Sequence, residues 1–292
     1  MRITNQMILS RSLASIQDGL SARARLERQI TTGERIQNMS DDPVAARSIL
    51  DLDGDLRASE QYSRSIESAR SRLAVADSTL QEMTNILTRV REIALQQSGG
   101  ISTPETRLAA RTEIQEMRTT LVQLGNQKLN GAYVFGGDYV DREPLNSAGA
   151  LDAGFPARGT TSYEIGPGVY GLGAHDAGEM FIDSDVINSL DQLEAGIVLD
   201  DSVSIQAAAD QLVTTIANVQ ELVAEIGARQ IRLDVTQNAQ SVVDQSRAER
   251  LSTLKDTSLE AAITELASLQ SSYQATLLTT SRLLETSLVN FL

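Results

Sequence analysis

Residues 49–94 read ILDLDGDLRASEQYSRSIESARSRLAVADSTLQEMTNILTRVREIA, and their apolar and small positions set the fold. Ile49, Leu52, Leu56, Ser59, Ser63, Ile66, Ala69, Leu73, Ala76, Leu80, Met83, Leu87, Val90 and Ala94 recur in steps of three and four residues. That is a coiled-coil seam, and it predicts one long helix with a single buried stripe. Gly54 lies inside the span but off the seam, a position that costs about 1 kcal/mol relative to Ala and marks a bend. Ser98-Gly99-Gly100 stops the helix, and Thr103-Pro104-Glu105 opens another with Thr as cap and Pro in the first turn. The second seam, Ala110, Ile114, Met117, Leu121 and Leu124, is expected to run out near Asn130-Gly131. A third, Ile205, Ala209, Leu212, Ile216, Val219, Val223 and Ile226, repeats the pattern in the last third of the chain. Three such stripes must cover one another. The expected fold is mainly α, an elongated antiparallel helical bundle or coiled coil built from both chain ends, with a small β-rich inserted domain.

Just upstream, TTGERIQNMSDDPVAAR (31–47) places two adjacent carboxylates, Asp41 and Asp42, before Pro43. An acid followed by Pro at the first helical position is helix punctuation, and the charge complements the helix dipole. A metal site would need further oxygen or nitrogen ligands close by, and the neighbourhood offers none. The carboxylates are expected to cap.

Charge and turn formers concentrate in 131–201. That segment holds 13 acidic residues against Arg142 and Arg158, and 12 of the 19 Gly. It reads as short strands between Gly and Pro turns, such as TSYEI (161–165), and its charge suits a solvated outer domain. GVYGLGAHDAG (168–178) lacks the Lys-Ser/Thr ending of a phosphate loop. Asp183 and Asp185 lack the further ligands of a calcium loop and read as solvated surface acids. His175 reads as a loop residue. With no metallopeptidase HExxH, no Cys and a single His, the chain lacks the residues for thiolate, Cys/His zinc or His-base chemistry. No enzyme, no cofactor and no metal are expected.

The net charge of −14 argues against nucleic acid as a partner. No apolar run is long enough to insert in a membrane. The opening MRITNQMILSRS lacks the apolar core of a cleaved signal peptide.

Both chain ends carry stripes of their own. Leu9, Leu13, Ile16 and Leu20 follow four–three–four spacing, and Ile263, Leu266, Tyr273, Leu277, Leu284 and Phe291 keep one register. Residues 1–30 carry five Arg against Asp18 and Glu27, whereas 252–292 carry two bases against four acids. Opposite charge and matched stripes predict that the ends pair. Two helices bury little, so the pair should be marginal until other copies cover it.

These segments resemble the bacterial flagellin family. TTGERIQNMSDDPVAAR is similar to its N-terminal signature and MRITNQM (1–7) to its opening, and LTRVREIALQ (87–96) resembles a segment late in its first long helix. GARQIRLDVTQN (227–238) and LQSSYQATLLTTSRLLETSLVNFL (269–292) resemble the C-terminal block. NGAYVFGG (130–137) is similar to a motif of the family's shorter junction proteins, which join the hook region to the filament; flagellins usually read differently there. Ile231 stands where flagellins carry Asn, and the chain ends in VNFL.

The resemblance implies a structural junction protein polymerising between the hook-associated region and the filament, with a filament flagellin as the alternative. A type III secretion tip or translocon coiled-coil protein fits the helices but not the paired terminal signatures. Three parts follow by analogy: 1–40 plus 256–292 as the inner tube, 41–137 plus 190–255 as the helical bundle, and 138–189 as a variable outer insert. The implied partners are further copies of itself, a neighbouring hook-associated protein, flagellin and a cytoplasmic export chaperone. The implied location is the extracellular flagellum, reached through the flagellar type III apparatus. The interface residues would be Leu13, Ile16, Leu20, Tyr273, Leu277, Leu284 and Phe291 on the terminal stripes. Arg89, Arg91 and Glu92 read either as a solvated, internally paired helix face or, by resemblance, as a segment packed between subunits. In some lineages an innate-immune receptor reads that segment, but Thr88 here replaces its usual Gln.

Overall fold

The computed structural model describes residues 5–99, 103–154 and 156–289. Helices dominate: α1 (Asn5–Thr32), α2 (Pro43–Ser98), α3 (Pro104–Gly125), α4 (Val186–Leu199), α5 (Ser202–Lys255) and α6 (Leu259–Val289). Between α3 and α4 lie two antiparallel hairpins, β1 (Lys128–Leu129) with β2 (Ala132–Tyr133) and β3 (Ser162–Gly166) with β4 (Val169–Leu172). A short π-helical turn, Gly178–Asp183, precedes α4. The chain forms two compact units, one of residues 59–241 and one of 1–58 with 242–292.

In the 59–241 unit the seam of α2 is buried without exception from Ile66 to Ala94. It packs in one cluster with Ala110, Ile114 and Leu121 of α3, Leu190 and Leu193 of α4, and Ile205, Leu212, Val219 and Ile226 of α5. Each fully buried Leu or Ile contributes roughly 1.5–3 kcal/mol, so this stripe dominates the unit's stability. The three-and-four alternation is interrupted once, where Ser63, Ile66 and Ala69 follow each other in two steps of three. Such a stammer overwinds the helix locally. N-terminal to it Leu52, Leu56 and Ser63 are only half-buried.

Helix α3 starts as expected. The Thr103 side chain accepts from the Thr106 N–H at 3.3 Å, and Pro104 occupies the first turn. It ends five residues before Asn130, at Gly125, because Asn126 turns out of the helix. The Asn126 amide donates to the Leu145 carbonyl at 2.8 Å and its oxygen accepts from the Leu145 N–H at 2.9 Å. Asn130-Gly131, expected as a helix end, is instead the two-residue turn of the β1–β2 hairpin. Both residues have positive φ, 53° and 85°, which is the type I′ geometry that Asn-Gly favours.

The insert differs from the expectation of a solvated outer domain. Leu145, Ile165, Met180 and Phe181 are fully buried in the same cluster as Leu73 and Leu80. Their apolar side chains, spaced through Gly-rich loops, close over the bundle rather than around a core of their own.

In the other unit, Ile36, Ala45, Ala46 and Ile49 cluster with Leu251 and Leu254. A joint ties the turn after α1 to the turn before α6: the Arg35 N–H donates to the Lys255 carbonyl at 2.6 Å, and the Thr257 N–H to the Gly33 carbonyl at 2.8 Å. Lys255 pairs with Glu34 at 3.0 Å. Here the two acids separate in role. Asp42 Oδ1 accepts from the Val44 and Ala45 N–H groups and caps α2, as punctuation requires. Asp41 Oδ2 accepts from Asn38 at 3.0 Å and Gln37 at 3.2 Å, and these two backbone donors lower its pKa.

Candidate assembly surface

Helices α1 and α6 lie against each other, and their contact faces can be read from burial. On α6 the covered positions are Ala262, Leu266, Leu269, Tyr273, Thr276 and Thr280, again in steps of four and three. On α1 they include Ile16, Gly19, Ala22 and Leu26. Gly19 faces Tyr273 across this contact, and a Cβ there would stand 4.0 Å from the ring, an ordinary contact that alanine could also make.

The terminal stripes therefore split between two faces. Ile16 and Tyr273 belong to the intramolecular contact. Leu13, Leu20 and Leu277 lie at its edge or beyond it: they stay 51%, 45% and 43% exposed, and Ile263 and Leu278 of α6 are exposed too. Isolated exposed leucines are ordinary, but a row of them on two packed helices is an unfilled apolar face. The Leu284 side chain and Phe291 lie outside the described residues.

Arg89, Arg91 and Glu92 sit elsewhere, on the last turns of α2. Arg89 pairs with Glu92 at 3.1 Å along its own helix and with Glu113 of α3 at 3.0 Å. Arg89 donates these hydrogen bonds to Glu92 and Glu113, and the two acceptors, Glu92 first, raise its pKa. Arg91 is half-buried, and its Nε has no hydrogen-bond partner among the described residues. The structure thus brings Arg89 and Glu92 together and joins them to α3, a cross-helix contact that the spacing within one helix did not indicate.

The NGAYVFGG segment is held more firmly than its short strands suggest. Arg72, buried on α2, donates to the Val134 carbonyl at 3.0 and 2.7 Å and to the Tyr133 carbonyl at 2.7 Å. Phe135 is fully buried. Gly137, at φ 59°, lies so close to the Arg158 backbone that a Cβ would clash at 2.2 Å. Lys128 stands 4.4 Å over the Tyr133 ring. Arg72 was not singled out in the sequence, where it is one Arg among several on a polar helix face.

Several charged groups of the insert are engaged within it or with α5. Arg158 pairs with Asp183 in two hydrogen bonds, lowering the Asp183 pKa. His175, read as a loop residue, is buried, with Nδ1 2.6 Å from Glu179 and Nε2 3.3 Å from Glu225 of α5. Asp176 beside it accepts from the Gly159 and Glu179 N–H groups, and burial raises its pKa.

An unfilled apolar face on a pair of terminal helices points to assembly. Residues 3–139 match the bacterial flagellin N-terminal helical region. That match spans just under half of the chain. The chain is 28% identical over 149 residues to flagellar hook-associated protein 3 of Salmonella typhimurium, covering 51% of this chain and 47% of that protein. It thus spans about half the length of that relative. It is 25% identical to the flagellar filament 33 kDa core protein of Treponema phagedenis, covering 74% of this chain and 72% of the relative. A solved structure from Vibrio parahaemolyticus, assigned as a flagellar hook-associated protein, is 25% identical. It covers 74% of this chain and all of its own, with a TM-score of 0.66. Among the described residues no helix is long and apolar enough to cross a membrane.

Proposed function

We propose that this chain is a structural junction protein of the bacterial flagellum, polymerising between the hook-associated region and the filament. The observation that carries the reading is the exposed leucine face of the α1–α6 pair. Leu13, Leu20 and Leu277 are only about half covered within the molecule, and copies packed side by side would remove the rest from water together. In this reading 1–40 with 256–292 form the inner tube, and 41–137 with 190–255 form the surrounding wall. The 138–189 segment is the outermost part. The neighbours are a hook-associated protein on one side and flagellin on the other. Delivery is by the flagellar export apparatus with a cytoplasmic chaperone. The chain performs no catalysis.

A second reading, filament flagellin, is favoured by the similarity to a filament core protein across most of the chain. Two features weigh toward the junction. NGAYVFGG is built into the core through Arg72, and Ile231 departs from the flagellin pattern. Purified chain added to hook–filament seeds, with and without flagellin, separates the two under the electron microscope. The junction reading expects a short zone that stops, then lengthens only when flagellin is supplied. Long filaments of this chain alone would establish the flagellin reading instead.

A further inference from the structure

Arg72 is only 9% exposed, and among the described residues no carboxylate pairs with it. Its Nε and Nη2 donate to the Val134 and Tyr133 carbonyls, which are neutral acceptors. Its Nη1 makes no hydrogen bond among the described residues, yet it is not sealed in protein as the unpartnered Nε atoms of Arg91 and Arg118 are. A buried charge without a counter-charge is costly, so a guanidinium in this state favours a bound anion.

Room for one lies beside it. A cavity of about 410 Å³ opens between α2 and the strands, bordered by Arg64 and Arg72 of α2, Asn130 of the hairpin turn and Tyr163 of β3. That volume falls within the roughly 300–1,000 Å³ of small-ligand sites. Arg64, Ser71 and Arg72 stand at i, i+7 and i+8, on one face of α2. The Ser71 and Tyr163 hydroxyls and the Asn130 side-chain amide also border it, and none makes a hydrogen bond among the described residues.

The neighbouring acids limit what can enter. Glu67 borders the cavity and is paired with Arg70 at 3.4 Å; Arg70 in turn holds Asp234. Glu60 stands 4.0 Å from Arg64, with both side chains more than two-thirds exposed, so it neutralises Arg64 only weakly. Glu164 follows Tyr163 on β3 and points to the other face of the strand. None of the four reaches Arg72. A dianion would be repelled by Glu67, whereas one carboxylate is a match for Arg72 and Arg64. Glu67 can then accept from a hydroxyl, as can the free polar groups around it.

We propose that this cavity binds a carboxylated sugar. Its carboxylate lies against Arg72 Nη1 and the Arg64 guanidinium, and its hydroxyls meet Ser71, Asn130, Tyr163 and Glu67. The site lies wholly within the 59–241 unit and does not depend on the assembly reading.

The free, full-length chain tests it. D-glucuronate is titrated while amide chemical shifts are followed, beside D-glucose, inorganic phosphate and an amidated Gly-Glu-Gly peptide. Glucuronate should bind with a dissociation constant on the order of 1 mM, and the other three at least about tenfold more weakly. The shifts should concentrate at residues 130–133 and 163. Arg64→Gln should weaken glucuronate about tenfold with an unchanged melting temperature, since the side chain is exposed and only loosely paired. Ser71→Trp, which fills the cavity, should abolish the shifts. Glucuronate that leaves the hairpin amides unmoved, or binds Arg64→Gln as tightly as the parent, overturns the site. Glucose binding as well as glucuronate overturns the carboxylate, and phosphate binding as well overturns the preference for a single charge. Tighter binding of the peptide assigns the cavity to an acidic side chain of a neighbouring protein and overturns the sugar.

Discussion

The stretch of α2 from Ile66 to Ala94 and the α1–α6 pair are both helical and both patterned in threes and fours, yet they end in opposite states. The first has every seam residue buried, because α3, α4, α5 and the insert surround it. The second has one partner helix for each apolar face, so half of the apolar positions remain in water. Heptad spacing states that a face must be covered. It does not state whether the cover is in the same chain. A region whose pattern is satisfied internally contributes stability, and one whose pattern is left unsatisfied contributes the drive to assemble.

The insert should produce the largest effect. Replacing residues 140–188 with a short Gly/Ser linker removes Leu145, Ile165, Met180 and Phe181 from the cluster that covers α2. Each deletion of this kind costs a few kcal/mol, and together they exceed the roughly 5–15 kcal/mol that holds a domain folded. The expected outcome is loss of the cooperative melt by circular dichroism. A variant that still unfolds sharply near the parental temperature would show the bundle to be self-sufficient and the insert to be a passenger.

Single substitutions place the same contrast on two leucines. Leu80→Ala in the closed seam should cost about 2–5 kcal/mol in denaturant unfolding. Leu277→Glu on the open face should change the free chain by no more than about 0.5 kcal/mol. In the assembly the order reverses. A carboxylate buried without a partner there costs several kcal/mol in every copy, so Leu277→Glu should block incorporation. Normal incorporation would remove Leu277 from the interface.

Much of this was legible in the sequence and some was not, for identifiable reasons. The three bundle seams and the caps at Thr103 and Asp42 depend on local spacing and local hydrogen bonds, which a sequence states directly. The hairpin at Asn130-Gly131 was readable too, since Asn-Gly is a strong type I′ signal; the periodicity of α3 masked it. Packing of the insert was hidden because Leu145 and Phe181 sit in turn-rich, acidic stretches without periodicity. The division of the terminal stripes, with Ile16 inside and Leu13 and Leu20 outside, depends on which face meets the partner helix. Sequence spacing alone leaves that choice open.

Arg72 offers a smaller effect within the closed unit. Arg72→Met keeps the length of the side chain but leaves the Tyr133 and Val134 carbonyls without their donors. An unpartnered buried acceptor costs about 1–3 kcal/mol, which the midpoint of a urea titration would resolve. Amide exchange should show the loss locally, with faster exchange through the β1–β2 hairpin and unchanged protection along α2. An unchanged midpoint would mean that Phe135 and the close glycine contact hold the segment without it.

The smallest effect expected is a difference of sign between two aspartates, one in each unit. The Asn38 and Gln37 N–H groups stabilise the Asp41 carboxylate, so its pKa is lowered in the folded chain. Its contribution is fully present above the ordinary Asp value of about 4 and is lost as pH falls through the lower folded value. Asp176 behaves oppositely. Burial raises its folded pKa, helped by the nearby Glu179, and the Glu179 and Gly159 N–H groups and Arg158 only partly offset this. The ionised form is therefore penalised at neutral pH, and the penalty is relieved as pH falls through the raised folded value toward about 4. Acidification should loosen the turn between α1 and α2 while leaving the Asp176 loop no less stable. Carboxyl carbon chemical shifts across an acid titration would read both directly, with Asp176 moving first and Asp41 last. Asp41→Asn should flatten the acid-side fall in melting temperature that the α1–α2 turn contributes. A titration in which Asp41 protonates before Asp176 would contradict the hydrogen-bonding assigned to both.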